Sequence, residues 1–390
     1  MCSRRKLNRS DFNRLKVLVG HKKVHVDCMN PDRLTPLLLL CKHNQSKNLC
    51  HLIEPLLRKG NIGFKTRDGF SALSLVCCHH ESKNLLEVVR LLLRQGIRVS
   101  RTDSALIAAC FNYKDESLFR IVRLLLRHGI SVNNTDENQR TALFALCNNY
   151  NGENLAQIVQ YLLDNGADVR PTDCHDSSCL MALCKQQPLH PDFLEVLQLL
   201  LENGADPDEE DPSSESSPLI YVCVNYKGTQ LYDIVRLFIR HNAEMNKTDY
   251  NGRSCIYTLF YHYTGTDLFR IAQAMLDTYL DVNILAANQT NALWALAKKQ
   301  PHRRDFLAIT RLLIENAIDL QVTDRKYRSI LHIVCKKYRG NDLVDLIQLL
   351  VKCRIAVGAK DKDDKTALDL LSQRGFSPLS KVVQSLIVLS

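Results

Sequence analysis

The sequence predicts an all-α chain, an α-solenoid of stacked helix–loop–helix repeats joined by short β-hairpin fingers. Three observations predict it. A seven-residue apolar block recurs ten times, 33 to 39 residues apart; a second block of helical periodicity follows each copy; turn residues fill the gaps. Self-similarity at such a period marks repeat architectures, in which no single unit buries its apolar face alone.

The first block is clearest in Thr141-Ala-Leu-Phe-Ala-Leu-Cys147. Its other copies begin at Thr35, Ser71, Ser104, Ser178, Ser217, Ser254, Asn291, Ser329 and Thr366. Each opens on a side chain able to accept the free N–H groups of a first helical turn. The second block places one apolar column at Leu52, Val88, Ile121, Ile158, Val196, Ile234, Ile271, Ile309, Leu346 and Val382. Another stands four residues on, from Leu56 to Leu386, so the two columns mark one face of an amphipathic helix.

Caps are expected before this second helix at Asn48, Asn84, Ser117, Asn154, Asp192, Asp267, Asp305 and Asp342. Glycine should end it in a left-handed conformation at Gly60, Gly96, Gly129, Gly166 and Gly204; later repeats carry Asn242, Tyr279 and Ala317 instead. Extended pieces such as Ala167–Asp173 follow, and Asp68-Gly69 and Asn251-Gly252 suit tight hairpins.

Two helices and a finger, opening on Thr35-Pro36-Leu37, Ser217-Pro218-Leu219 or Ser329-Ile-Leu-His332, resemble the ankyrin repeat. Gly166-Ala167-Asp168-Val169 and Gly204-Ala205-Asp206 match that family's link. The resemblance implies about ten repeats over residues 24–390. Their approximate bounds are 24–60, 61–96, 97–129, 130–166, 167–204, 205–242, 243–279, 280–317, 318–353 and 354–390, after a basic leader or cap over 1–23. Most repeats exceed the usual ~33 residues, with the surplus between their helices, as at Tyr150-Asn-Gly-Glu153. Pro55 falls inside the first repeat's second helix and should kink or shorten it.

The totals exclude other classes. With 45% hydrophobic and 24% charged residues, the chain is an ordinary folding one. It has no apolar run long enough to cross a bilayer and no secretory signal pattern, so a cytoplasmic or nuclear location is expected. Net charge is +9, concentrated in the leader, which leaves the array nearly neutral and a nucleic-acid partner disfavoured. No phosphate loop, zinc-protease helix, nucleophile elbow or kinase signature occurs, and the expectation is no enzyme and no cofactor.

Seven of the fifteen cysteines, Cys41, Cys77, Cys110, Cys147, Cys184, Cys223 and Cys335, share one column, where the ankyrin family places a small buried residue. They read as core, because free cysteine behaves as a small hydrophobe. Cys77-Cys78-His79-His80 and the set Cys174, His175, Cys179 and Cys184 lack zinc-site spacing, so no metal is expected.

The remaining candidates concern binding. Position four of the first helix carries Phe144, Met181, Tyr257 and Trp294, which either line an apolar stripe for a partner or pack between repeats. A tyrosine column at Tyr113, Tyr150, Tyr226, Tyr263 and Tyr338 reads as a staple for the longer inter-helix loop. Positive charge gathers at Lys298, Lys299, Arg303 and Arg304, then at Lys336, Lys337 and Arg339. These either complement helix C-termini or form a patch for an acidic partner. Asn246 and Asn283 resemble positions that asparaginyl hydroxylases modify in ankyrin proteins. The resemblance thus implies a monomeric scaffold or adaptor that binds other proteins and takes neither a small-molecule substrate nor a membrane. Ubiquitin-ligase substrate recruitment, transcription-factor inhibition and action as a host-directed effector stay open.

Overall fold

The computed structural model describes residues 17, 21, 25–43, 48–79 and 84–374. The expected leader (Val17 and His21 apart), His80, and the tenth repeat's second helix with Val382 and Leu386 lie outside the described residues. The chain divides into two compact units, Met1–Ala205 and Asp206–Ser390.

The first unit holds five helix pairs: α1 (Pro36–His43) and α2 (Leu49–Lys59), α3 (Ala72–His79) and α4 (Leu85–Arg94), α5 (Ala105–Asn112) and α6 (Leu118–Arg127), α7 (Ala142–Asn149) and α8 (Leu155–Asp164), α9 (Cys179–Gln186) and α10 (Phe193–Glu202). The second unit holds α11 (Pro218–Asn225) and α12 (Leu231–Arg240), α13 (Cys255–His262) and α14 (Leu268–Leu276), α15 (Ala292–Lys299) and α16 (Phe306–Glu315), α17 (Ile330–Lys337) and α18 (Leu343–Lys352), then α19 (Ala367–Ser372). Within each unit, every first helix packs on the next first helix.

Burial explains the stacking. Along α7 every residue from Ala142 to Cys147 is buried, and α15 repeats this from Ala292 to Ala297. A helix apolar on all sides needs partners on all sides, and within each unit such a first helix packs on its own second helix and on the first helices beside it. The second helices are amphipathic; α6 buries Leu118, Ile121, Val122 and Leu125 and turns Arg120 and Arg127 outward. The seven-cysteine column is buried throughout.

First-helix caps form as expected: the side chains of Thr141, Ser178, Ser217, Ser254, Asn291 and Thr366 accept a backbone N–H two residues into the helix. The second-helix caps need correction. Ser117, Asp267 and Asp342 occupy the N-cap position but make no side-chain bond to their own helix. Each instead meets the tyrosine hydroxyl four residues back, at 2.9 Å from Tyr113, 2.6 Å from Tyr263 and 2.6 Å from Tyr338. The Tyr150 hydroxyl donates to the Glu153 carbonyl and that of Tyr226 accepts from the Gln230 N–H. The tyrosine is therefore a staple closing the inter-helix loop.

Where Gln187 and Gln300 stand in place of that tyrosine, the problem is solved differently. The Gln187 amide donates back to the Leu146 carbonyl at 2.7 Å, and the Gln300 amide donates to the carbonyls of Phe260 and Tyr263. These amides tie each repeat to carbonyls at the end of the preceding first helix or just beyond it.

The fingers also depart from expectation. Among the described residues no strand forms; pairing is reduced to single antiparallel bridges, Thr248 with Ser254, Thr323 with Ser329 and Lys360 with Thr366. In several fingers an aspartate pins the turn instead. Asp136, Asp249 and Asp324 each accept two backbone N–H groups and pair with an arginine four residues on. Local Asx bonding competes with ladder bonding here and wins.

Asn246 joins repeats: its oxygen accepts from the Asp281 N–H at 2.7 Å and its amide donates to the Tyr279 carbonyl at 2.9 Å. Asn283 does the same to Asp319 and Ala317, and Asn133 to Asp168 and Gly166. The expected hydroxylation positions are thus backbone clasps.

Gly96, Gly129, Gly166 and Gly204 are left-handed as expected, whereas Gly60 is not, at φ −102°. Helix α2 runs through Pro55 without being shortened. The glycine two residues after the staple tyrosine has another purpose. A Cβ on Gly228 would stand 2.6 Å from the Tyr226 hydroxyl oxygen.

Two stability outcomes follow. Gly228→Ala should lose about 1–3 kcal/mol through overpacking, read from urea melts. Asn283→Ala removes both clasp bonds and should cost about 1–3 kcal/mol, with amide exchange at Asp319 accelerating; unchanged exchange there would refute the clasp.

Candidate functional site

Phe144, Met181, Tyr257 and Trp294 are 4%, 2%, 2% and 2% exposed, which places them in the shared interior. They are the packing alternative of the two readings, and no open apolar stripe is built from them. His332, at the same register, is buried and accepts from its own repeat's Ser329 N–H through Nδ1 at 3.1 Å.

The cations divide into two sorts. Arg303 is structural: it holds Asp305 in a two-point ion pair, the Gln300 side chain and the Gly265 carbonyl, with its side chain 11% exposed. Arg304 and Arg339 are exposed on the inter-helix loops of their repeats. Lys298, Lys299 and Lys336 are exposed at the ends of α15 and α17. Lys337 is half-buried and donates to the Lys298 carbonyl at 3.0 Å, which ties the two clusters together.

These lysines sit among aromatic rings. The Lys299 ammonium lies 4.1 Å from the Tyr261 ring centre, and Lys298 lies 5.3 Å from that of Trp294. Tyr261 stacks on Tyr257 at 6.2 Å, with 13° between the rings. Arg328 lies 5.8 Å from the Trp294 ring, whose buried Nε1 has no hydrogen-bond partner among the described residues. Cation–aromatic pairs of this kind hold the lysine heads near the surface at little entropic cost.

Beside them a cavity of about 300 Å³ opens between fingers and first helices, lined by Asn251, Arg253, Tyr257, Tyr261, Ala286, Ala287, Asn288, Lys298 and Arg325. No lining residue is acidic. The positive field shows in neighbouring groups. The Lys299 hydrogen bond lowers the phenol pKa of Tyr261, helped by the charges of Lys299, Lys298 and Arg253. Burial lowers Lys337, and repulsion from Lys298, Arg328, Lys299 and Lys336 adds to it. Burial, then Lys227, Arg253 and Lys299, lowers His262.

Sequence reasoning missed Arg253, Tyr261 and Arg325. The signal was present for two of them: Arg253 follows the turn aspartate by four residues, and Tyr261 follows Tyr257 by four on one helix. Arg325 carries no periodic mark.

A scan against protein families matches ankyrin repeats (3 copies), over residues 82–173 and 106–211. The chain carries ankyrin repeats. No curated protein matches it. The matched residues lie almost wholly in the first unit, and the same helix-pair pattern continues on both sides of them.

Ankyrin repeats are protein-interaction domains and typically non-catalytic. Among the described residues no three or more His, Cys, Asp or Glu side chains are grouped to hold a metal, and no helix is long and apolar enough to cross a membrane. In the set Cys174, His175, Cys179 and Cys184, Cys184 belongs to the buried column and Cys179 donates to the Val169 carbonyl. Burial pushes the Cys41, Cys110 and Cys335 thiols up to about 12. Reactivity needs the thiolate, so iodoacetamide on the native chain should label Cys28 and Cys174 first. Fast labelling of Cys110 or Cys147, read by peptide mass spectrometry, would contradict the shared interior.

Proposed function

We propose that this chain is a non-catalytic protein-interaction scaffold or adaptor whose second unit binds an acidic segment of a partner protein. One observation carries the reading. Lys298, Lys299, Lys336 and Arg325 have no ion-pair partner among the described residues; Lys298 and Lys299 stand beside aromatic rings, and Lys298 and Arg325 line an acid-free cavity. Solvated helix ends alone would not need the rings.

Such a surface attracts an oppositely charged segment and fixes its register. Aromatic and arginine side chains there supply the anchoring contacts that dominate interfaces. Arg304 and Arg339 extend the positive rim. Action as a monomer in the cytoplasm or nucleus fits the many buried free thiols. Substrate recruitment to a ubiquitin ligase, inhibition of a transcription factor and host-directed action all use such a surface, and the partner's identity separates them.

The test compares affinity capture by the wild-type chain with a Lys298→Glu/Lys299→Glu/Lys336→Glu variant. Lys337 is spared because its ammonium serves the fold. Wild type should retain a defined set of proteins with acidic segments, and the variant should lose them at least tenfold. Reversal at Arg236 and Arg240, exposed on α12, should leave capture intact. Equal capture by all three would overturn the assignment of this face.

A further inference from the structure

The cavity beside Lys298 has a charge and a size that select among acidic groups. Two of its three cations are open. Arg253 is neutralised by the buried carboxylate of Asp249, at 2.7 Å. Lys298 and Arg325 have no ion-pair partner among the described residues, and both are exposed. Arg325 spends one amino group on the Ala287 carbonyl at 2.8 Å, which fixes its position. A guanidinium has five N–H donors, so it keeps several for a ligand.

The remaining walls are set by bonds within the protein. Thr290 donates its hydroxyl hydrogen to Asn288 Oδ1 at 2.7 Å, so the Tyr257 hydroxyl donates to Thr290 at 3.3 Å and accepts from the Asn288 amide at 3.3 Å. The Tyr257 ring is thereby fixed, and Tyr261 stacks on it. At about 300 Å³ the cavity holds the volume of ~10 liquid waters, enough for a tetrahedral anion together with the side-chain stem that carries it.

We propose that this cavity takes a phosphorylated side chain of the partner protein, with Lys298 and Arg325 as its charge partners and Tyr261, backed by the buried Tyr257, as its apolar wall. This rests on the reading of the same face as the partner-binding surface. A carboxylate carries one charge and would compensate only one of the two cations. A phosphate monoester carries about −1.5 to −2 at neutral pH and three acceptor oxygens, which matches two free cations. Planar arginine suits two-point recognition of phosphate. A nucleic-acid backbone spreads its phosphates along a strand, whereas the cavity gathers Lys298 and Arg325 at one place.

The experiment measures binding of the full-length chain to three degenerate peptide pools by fluorescence anisotropy. Their fixed central residue is phosphoserine or phosphotyrosine in the first, glutamate in the second and serine in the third. At least one phosphorylated form should bind ten-fold or more tightly than the glutamate pool. A Lys298→Gln/Arg325→Gln variant, with an unchanged thermal melt, should lose that advantage, while Lys336→Gln should change it less than about threefold. Equal affinity for glutamate and phosphorylated pools would overturn the phosphate assignment and leave the acidic-partner reading standing. Tighter binding of oligo-dT than of any peptide would overturn both. Absence of peptide binding, with lysine-dependent capture retained, would overturn the cavity assignment alone.

Discussion

Everything in this molecule depends on first helices that have no polar side. From Ala142 to Cys147 and from Ala292 to Ala297 each side chain is buried, so water cannot satisfy any face of these helices. Full burial of a leucine-sized side chain is worth about 1.5–3 kcal/mol, and that gain is collected only when the next layer is in place. Layers therefore stabilise one another, and nearest-neighbour packing replaces a single central core. The cysteine column follows from this constraint: a small, weakly polar side chain fits where successive first helices come close.

Polar side chains then fix the spacing that apolar packing leaves loose. The tyrosine staples, the glutamine amides reaching the preceding repeat and the asparagine clasps all end on backbone groups or loop side chains. Each satisfies atoms that a helix end or turn would otherwise leave exposed or unpaired. In four of the longer repeats the extra residues include a tyrosine and a close-fitting glycine, at Gly152, Gly228, Gly265 and Gly340.

Much of this was legible. Helical periodicity, first-helix caps and left-handed glycines are local signals, and Thr141, Ser254 and Gly166 behave as their residue types dictate. What failed was the reading of bonds whose partner lies elsewhere. Asp267 and Asp342 look like helix caps, but a tyrosine hydroxyl four residues away takes their oxygens. Arg303 looks like free surface charge, but it serves Asp305 and the preceding repeat's Gly265. Asn246 looks like a loop residue, yet its two partners are 33 and 35 residues away. The candidate cavity was legible in part, through Lys298. Its arginines come from two different fingers, and only the fold brings them to one place.

The clasp formed by Asn133, Asn246 and Asn283 has a consequence for how such a chain can diversify. Both of its bonds end on main-chain atoms of the following finger. Main-chain atoms are the same whatever amino acid carries them, so the joint makes no demand on the identity of the neighbouring tip. Tips can then mutate, or be transplanted from one layer to another, while the register between layers is preserved. Such a molecule can acquire a new ligand without renegotiating its architecture.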